Sequence, residues 1–139
     1  MNKLPFISIV CLTWNSREDV LSLLRSIYRS SYPKSFYEVL VIDNASSDGT
    51  TEAIKQKFPK ARVITLKKNL GMPALNIGYK KAKGEVIFSI QSDVTIAKNF
   101  LRVVAEKMQS DKNIGLLGVN VFDKKTHKIL PPTIRFNFY

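Results

Sequence analysis

Val86-Ile87-Phe88-Ser89-Ile90-Gln91-Ser92-Asp93-Val94 is the stretch around which the chain is organised. A run of apolar and β-favouring residues ends in a polar triplet whose last member is a carboxylate. Such a run reads as a buried strand that delivers one acid to the edge of a sheet. Gly84 stops the preceding helix, and another helix starts from Lys98 onward. Asp93 is therefore expected at the C-terminal end of a strand between two helices, where open α/β sheets bind ligands. Taken alone, Asp93 reads more simply as the cap of a turn or of the next helix.

Other strand ends decide between these readings. Phe6 to Leu12 is a compact, strand-like run that ends at Thr13-Trp14-Asn15. Ser16 and Asp19 have capping-box spacing, and Val20, Leu23, Leu24, Ile27 and Tyr28 follow a helical period. Tyr37 to Ile42 is a second strand, leaving through Asp43-Asn44-Ala45-Ser46-Ser47-Asp48-Gly49-Thr50. A helix from about Thr51 to Phe58 is stopped by Pro59, and Arg62 to Leu66 is a third strand leaving through Asn69-Leu70-Gly71. Pro73 suits the first turn of the next helix. After the anchor strand a helix is expected with Phe100, Val103, Val104 and Met108 on one face. Ile114 to Phe122 is expected as a fifth strand and Lys128 to Leu130 as a further short one, with Pro131-Pro132 ending regular structure.

Strands alternating with helices imply right-handed crossovers and a mainly parallel α/β sheet with helices on both faces. The C-terminal strand ends then share one edge. Four polar clusters fall there: Thr13-Trp14-Asn15, Asp43-Asn44, Asn69-Leu70-Gly71 and Ser92-Asp93. One polar strand end is ordinary, but four together describe a polar ligand site.

Composition bounds the rest. The 139 residues make one domain, 1–139, long enough to bury a core. No run of about 18 apolar residues marks a membrane span. The start of the chain reads as a first strand, not as a signal peptide. The single cysteine, Cys11, lies inside that strand, which excludes an internal disulfide and makes the cytoplasm the expected compartment. The formal net charge is +11, and Lys55, Lys57, Lys60, Arg62, Lys67, Lys68, Lys80, Lys81 and Lys83 form a stretch without an acid. Such a field attracts nucleotide phosphates, nucleic acid or an anionic membrane, or it simply solvates a surface. Few aromatics interleave it, which disfavours nucleic acid.

Neither G-x-G-x-x-G nor a P-loop follows the first strand, which argues against a dinucleotide dehydrogenase or P-loop ATPase. An aromatic at the first strand end can stack on a base. A carboxylate at the second can accept from a base N–H. A carboxylate at the fourth can hold a hard cation that neutralises a diphosphate.

These residues resemble a family. Ile9 to Asn15, Glu38 to Thr50, Asn69-Leu70-Gly71, Asn76 and Gly78, Lys83 to Phe88 and Ser92-Asp93-Val94 look like the nucleotide-binding half of family 2 (GT-A fold, Rossmann-like) glycosyltransferases, over roughly residues 5 to 122. The resemblance implies that a nucleotide-diphospho-sugar binds at Thr13, Trp14, Asn15, Asp43, Asn44, Asp48, Asn69, Gly71, Asn76, Ser92 and Asp93. Trp14 would pack on the base, Asp43 would read it (commonly uracil), and Asp48 would organise the loop. Asn69, Gly71 and Asn76 would shape the diphosphate and sugar side. Asp93 would match the last acid of a D-x-D motif and hold Mg or Mn. The reaction implied is attack of an acceptor hydroxyl on the anomeric carbon, usually with inversion.

Two departures stand beside the match. Gln91 occupies the first D-x-D position. The C-terminal part that supplies the family's acceptor site and general base is expected to be truncated. After Asp93 the only acids are Glu106, Asp111 and Asp123, none in the family's base motif, and His127 sits in a polar turn, so the catalytic base is unassigned. The expected function is a metal-assisted, UDP-sugar-dependent glycosyltransferase with an unknown saccharide or lipid-linked acceptor. The alternative is a non-catalytic nucleotide-sugar-binding or interaction domain. Peripheral docking on an anionic membrane through the basic field and a homodimer across an uncovered sheet edge complete the expected partners.

Overall fold

A computed structural model describes residues 4–130 of the chain. Strands β1 (Ile7–Thr13), β2 (Tyr37–Asp43), β3 (Arg62–Thr65) and β4 (Val86–Gln91) form one sheet in the order β3-β2-β1-β4, every neighbouring pair parallel. Helices α1 (Arg17–Tyr28), α2 (Thr50–Lys57), α3 (Leu75–Lys81) and α4 (Phe100–Ser110) alternate with and follow them. These elements fall within about two residues of their expected positions, and Pro73 lies in the 3₁₀ turn that leads into α3.

Period-two alternation sends each strand's residues to two cores. Ile7, Ile9, Cys11, Val39 and Val41 meet Leu24 and Ile27 of α1, Ile54 of α2 and Leu101 of α4. Val10, Leu40 and Ile42 meet Leu75 of α3 on the other face. Leu24 is fully buried, and truncating such a side chain to alanine costs about 2–5 kcal/mol. The chain thus steps from β1 to β3 with α1 and α2 on one face, then returns by way of α3 on the opposite face to place β4 beyond β1. The strand order reverses between β1 and β4, and a crevice opens there at their C-terminal ends.

At the other edge the turn into β4 is clasped. Ser8 Oγ donates to Glu38 Oε1 at 2.6 Å and accepts from the backbone N–H groups of Gly84 at 2.8 Å and Lys83 at 3.1 Å. A side chain at Gly84 would stand 2.5 Å from Ser8 N and 2.8 Å from Phe6 O. Only glycine lets this turn lie against β1; α3 already ends at Lys81 with Ala82 as its cap, so Gly84 serves this close approach and does not stop the helix.

Several expectations are corrected. Ser16 Oγ donates to Trp14 O rather than to a helical N–H, and the first amide of α1, Arg17 N, donates to Asp48 Oδ2 at 3.2 Å. The α1 cap therefore comes from a different loop, which no local spacing encodes. In α4 the buried residues are Leu101, Val104 and Ala105, while Val103 is exposed. Ile114 to Phe122 forms no strand. A single antiparallel bridge joins Phe122 to Ile129, in place of the short strand expected at 128–130. Apolar alternation makes a strand only where a neighbour takes up the backbone, and this segment, interrupted by Gly115 and Gly118, has no such ladder. The α3 face of the sheet is covered only in part, with Ile87 of β4 46% exposed. Pro131 and Pro132, expected to end regular structure, lie outside the described residues.

The basic stretch is divided by the fold. Helices α1 to α3 run back against the strands, so their last turns gather where the strands begin. Lys55 and Lys57 are in the last turn of α2, and Lys80 and Lys81 are in that of α3, where cations complement the helix dipole. Lys60, Arg62 and Lys83 adjoin the same edge, by way of the start of β3 and the Ser8–Glu38 clasp. Only Lys67 and Lys68 follow a strand and stand at the edge that carries Asp43 and Asp93.

Candidate functional site

The cleft at the strand reversal has a volume of about 770 Å³. Thr13, Trp14 and Ser16 line it from the β1 exit, and Gln91, Ser92 and Asp93 from the β4 exit. Met72, Leu75 and Tyr79 close the α3 side, and Leu116, Leu117 and Val119 complete the lining. Asp19, on the first turn of α1, is a second carboxylate in the same cleft as Asp93. Its spacing from Ser16 pointed to capping, so nothing in the sequence marked it for the site.

The residues expected to bind a ligand divide into two groups. The first group laces the loops together. Asn15 N donates to Ser46 Oγ at 2.9 Å, and Asn15 Oδ1 accepts from Ser47 N at 2.8 Å. Asp43 is 1% exposed, and its carboxylate accepts from Ser46 N at 3.0 Å and from Thr51 Oγ1, which also meets Thr65 Oγ1. Asp48 accepts from Thr50 and Arg17, and these hydrogen bonds, that from the Thr50 hydroxyl foremost, hold its pKa below the usual carboxylate value. Asn44 and Asn69 bind one another and the backbone of Leu70 and Gly71. Strain marks the same loops: Asn15 and Ala45 have φ of 47° and 66°. Gly71 has φ 64° and ψ −154°, a conformation open to glycine and costly for any side chain.

The second group is free to meet a ligand. Trp14 is 54% exposed. Thr13 is buried, yet its Oγ1 has no hydrogen-bond partner among the described residues. A buried hydroxyl without a partner is uncommon, and among the described residues Tyr37, at the start of β2, carries the other. Ser92 is half-buried, and Gln91 and Asp93 are exposed, with no side-chain partner among the described residues. The Asp93 carboxylate is near enough to Cys11 to add to the burial that raises that thiol's pKa. Asn76, on α3, is exposed and is not among the residues lining the cleft.

No group of three or more His, Cys, Asp or Glu among the described residues forms a metal cage. One exposed carboxylate beside an amide and a hydroxyl fits a different arrangement. A hard divalent cation can take most of its oxygen ligands from substrate phosphates and water, and one from the protein.

The glycosyl transferase family 2 model matches residues 8–138. The chain belongs to glycosyltransferase family 2. It is 30% identical over 122 residues to the glycosyltransferase AglE of Haloferax volcanii, covering 85% of this chain and 40% of that protein. It is 32% identical over 102 residues to the poly(ribitol-phosphate) beta-N-acetylglucosaminyltransferase TarS of Staphylococcus aureus, covering 70% of this chain and 18% of that one. The crystal structure of TarS 1–349 in complex with UDP superposes with a TM-score of 0.69 at 30% identity, over 75% of this chain and 32% of that one. A mannosyltransferase from Pyrobaculum calidifontis in complex with GDP-Man and Mn2+ superposes with a TM-score of 0.66 at 26% identity, over 75% of this chain and 32% of that one. The family 2 chain therefore has the α/β GT-A fold, and it spans less than half the length of these relatives. No described helix is long and apolar enough to cross a membrane.

Proposed function

We propose that residues 1–139 are the nucleotide-diphospho-sugar-binding domain of a glycosyltransferase that moves a sugar from a UDP-linked donor to an acceptor hydroxyl. The observation that carries this reading is the cleft between β1 and β4, with Trp14 and Asp93 open and the Thr13 hydroxyl unpartnered. Relatives solved with UDP, with UDP-GlcNAc and with GDP-Man and Mn2+ support a nucleotide diphosphate as the ligand.

Trp14 offers its ring face to the base, and Thr13 Oγ1 supplies a hydrogen bond to the nucleoside. Asp43, Asn44, Asp48 and Asn69 hold the loops in the shape that receives it. Asp43 reads a base edge itself only by giving up Ser46 or Thr51. Gly71 brings backbone close to the diphosphate, and Asn76 would reach the sugar side only from the α3 surface. Asp93, with Gln91 and Ser92 beside it, would hold Mg or Mn, which neutralises the diphosphate leaving group. In the transfer the bond from the anomeric carbon to the β-phosphate oxygen breaks, the bond to the acceptor oxygen forms with inversion, and a base takes the hydroxyl proton. Glu106, Asp111 and Asp123 are placed on α4, just after it and in a turn, so none is given that role. The acceptor is a saccharide or a lipid-linked molecule. Seven cations of the basic stretch lie away from the cleft, so a membrane held there would face away from Asp93.

Calorimetric titration with UDP, GDP and ADP, each with and without manganese, tests this. Manganese-dependent binding of one diphosphate, lost in Asp93→Ala, is expected. Absence of binding of all three would sink the donor-site reading. A second reading, binding without transfer, is favoured by Gln91 standing at the first D-x-D position, and it predicts binding with no release of nucleoside diphosphate in the presence of acceptors.

A further inference from the structure

A second cleft of about 390 Å³ lies on the flank of the molecule, outside the donor site. One wall is α1. Ser22, Arg25, Ser26 and Arg29 recur at helical spacing and form a polar stripe beside the buried Leu23, Leu24 and Ile27. The other wall is the segment after β4, with Thr95, Ile96 and Lys98.

The two walls are tied together. Ile96 N donates to Ser26 Oγ at 3.1 Å. Ser31 N and Ser30 Oγ donate to Lys98 O at 2.8 Å and 3.2 Å. A helix face alone would be a solvated surface, but here a second backbone is fixed across from it. The lining holds three cations, three hydroxyl-bearing residues and one apolar residue, and no acid. Among the described residues the one ion pair is Arg17 with Glu18, and none of them supplies a paired acid to Arg25, Arg29 or Lys98.

We propose that this cleft binds a phosphate group, as the free ion or as an ester. Arg25 and Arg29 present planar forks that match phosphate oxygens, Lys98 adds a point charge, and the Ser22 and Thr95 hydroxyls supply neutral donors. No aromatic lines the cleft, so a nucleic-acid strand would have nothing on which to stack its bases. The cleft starts two residues beyond Asp93 in the chain, so a ligand here borders the donor site without sharing its residues.

The test is a titration of isotope-labelled protein with inorganic phosphate, followed by the amide signals of Ser22, Ser26, Thr95 and Lys98. Saturable shifts at these positions are expected. Arg25→Ala with Arg29→Ala should weaken binding about tenfold or more, because two charge-assisted pairs are lost. Asp93→Ala should leave it unchanged, which separates this site from the donor cleft. Lys80→Ala with Lys81→Ala removes the same charge elsewhere and should change affinity less than about twofold. Lys98→Ala is the substitute should the arginine pair fail to fold. Shifts that do not saturate, shifts confined to Thr13, Trp14 and Asp93, or equal weakening by the lysine pair would overturn the proposal. Sedimentation with phosphatidic-acid vesicles, against phosphatidylcholine, and the same amide titration with glycerol 3-phosphate distinguish a lipid head group from a soluble ester. Whichever source binds must lose binding in the arginine variant, and retention there would also overturn it.

Discussion

Asn44 Nδ2 donates to Asn69 Oδ1 at 2.7 Å and so joins the exits of β2 and β3. The same Asn44 side chain accepts from Leu70 N at 2.8 Å and donates to Gly71 O at 3.3 Å. One buried amide thus fixes the conformation of a whole loop beside the candidate site. Asn44→Ala removes all three bonds and leaves Leu70 N without its acceptor, while Asn69 Oδ1 keeps Gly71 N and Gly71 O keeps Ala74 N. A destabilisation of about 1–3 kcal/mol in urea unfolding is expected, the range for unsatisfied buried polar groups. Amide exchange at Leu70 and Gly71 should accelerate first. A change under about 0.5 kcal/mol would mean that water replaces the side chain there.

Trp14 is the sole tryptophan, and it is half-exposed at the mouth of the cleft. A base stacked on its ring should quench its fluorescence, so the protein carries its own reporter. Saturable quenching by UDP with manganese is expected. Trp14→Phe should keep affinity within a few-fold, and Trp14→Ala should weaken it about three- to tenfold, the range for a stacked aromatic pair. Binding seen by calorimetry without quenching would place the base elsewhere.

The sheet was legible because its strands are short apolar runs stopped by Gly, Pro or polar clusters, and because such runs form ladders with one another. The anchor strand β4 and the Asp93 position followed from that pattern. The segment from Ile114 to Phe122 carries the same pattern and forms no strand, because pairing depends on a neighbour that local sequence does not name. The site residues show the same division. The positions of Asn15, Asp43, Asp48 and Asn69 at strand ends were readable. Their use as ties between loops was not, because each bond spans residues far apart in sequence, as Arg17 does with Asp48. The basic stretch reads as one field in sequence, but antiparallel helices send most of it to the edge opposite the cleft.

Asp48 links the loop after β2 to the first turn of α1. Its pKa is depressed, chiefly by the Thr50 hydroxyl and further by the Thr50 and Arg17 amides. A carboxylate with a lowered folded pKa stabilises the fold fully above its unfolded value, and the contribution is lost as pH falls through the folded value. Order at Arg17 and Thr50 should therefore persist down to the ordinary value of 3.8 and fade only below it. Asp48→Asn should remove this acid dependence, which a pH series of amide spectra can follow. Unchanged acid behaviour in the variant would assign the transition to another carboxylate.

Cys11 is the sole cysteine and is fully buried in the centre of β1. Burial, and then the Asp93 carboxylate, pushes its thiol up to about 12 from an ordinary value of 9.0. The folded state thus keeps the proton while the unfolded chain gives it up. Stability linked to this group is complete below pH 9.0 and falls as pH rises from there toward about 12. The thiolate is the nucleophile, so native protein at about pH 8 should resist alkylation by iodoacetamide. Labelling should then appear only with opening of the sheet, in step with urea unfolding. Asp93→Asn removes the smaller of the two causes and should lower the thiol value without bringing it back to 9.0. Rapid labelling of the native protein would show that β1 opens locally at the strand end that carries Thr13 and Trp14.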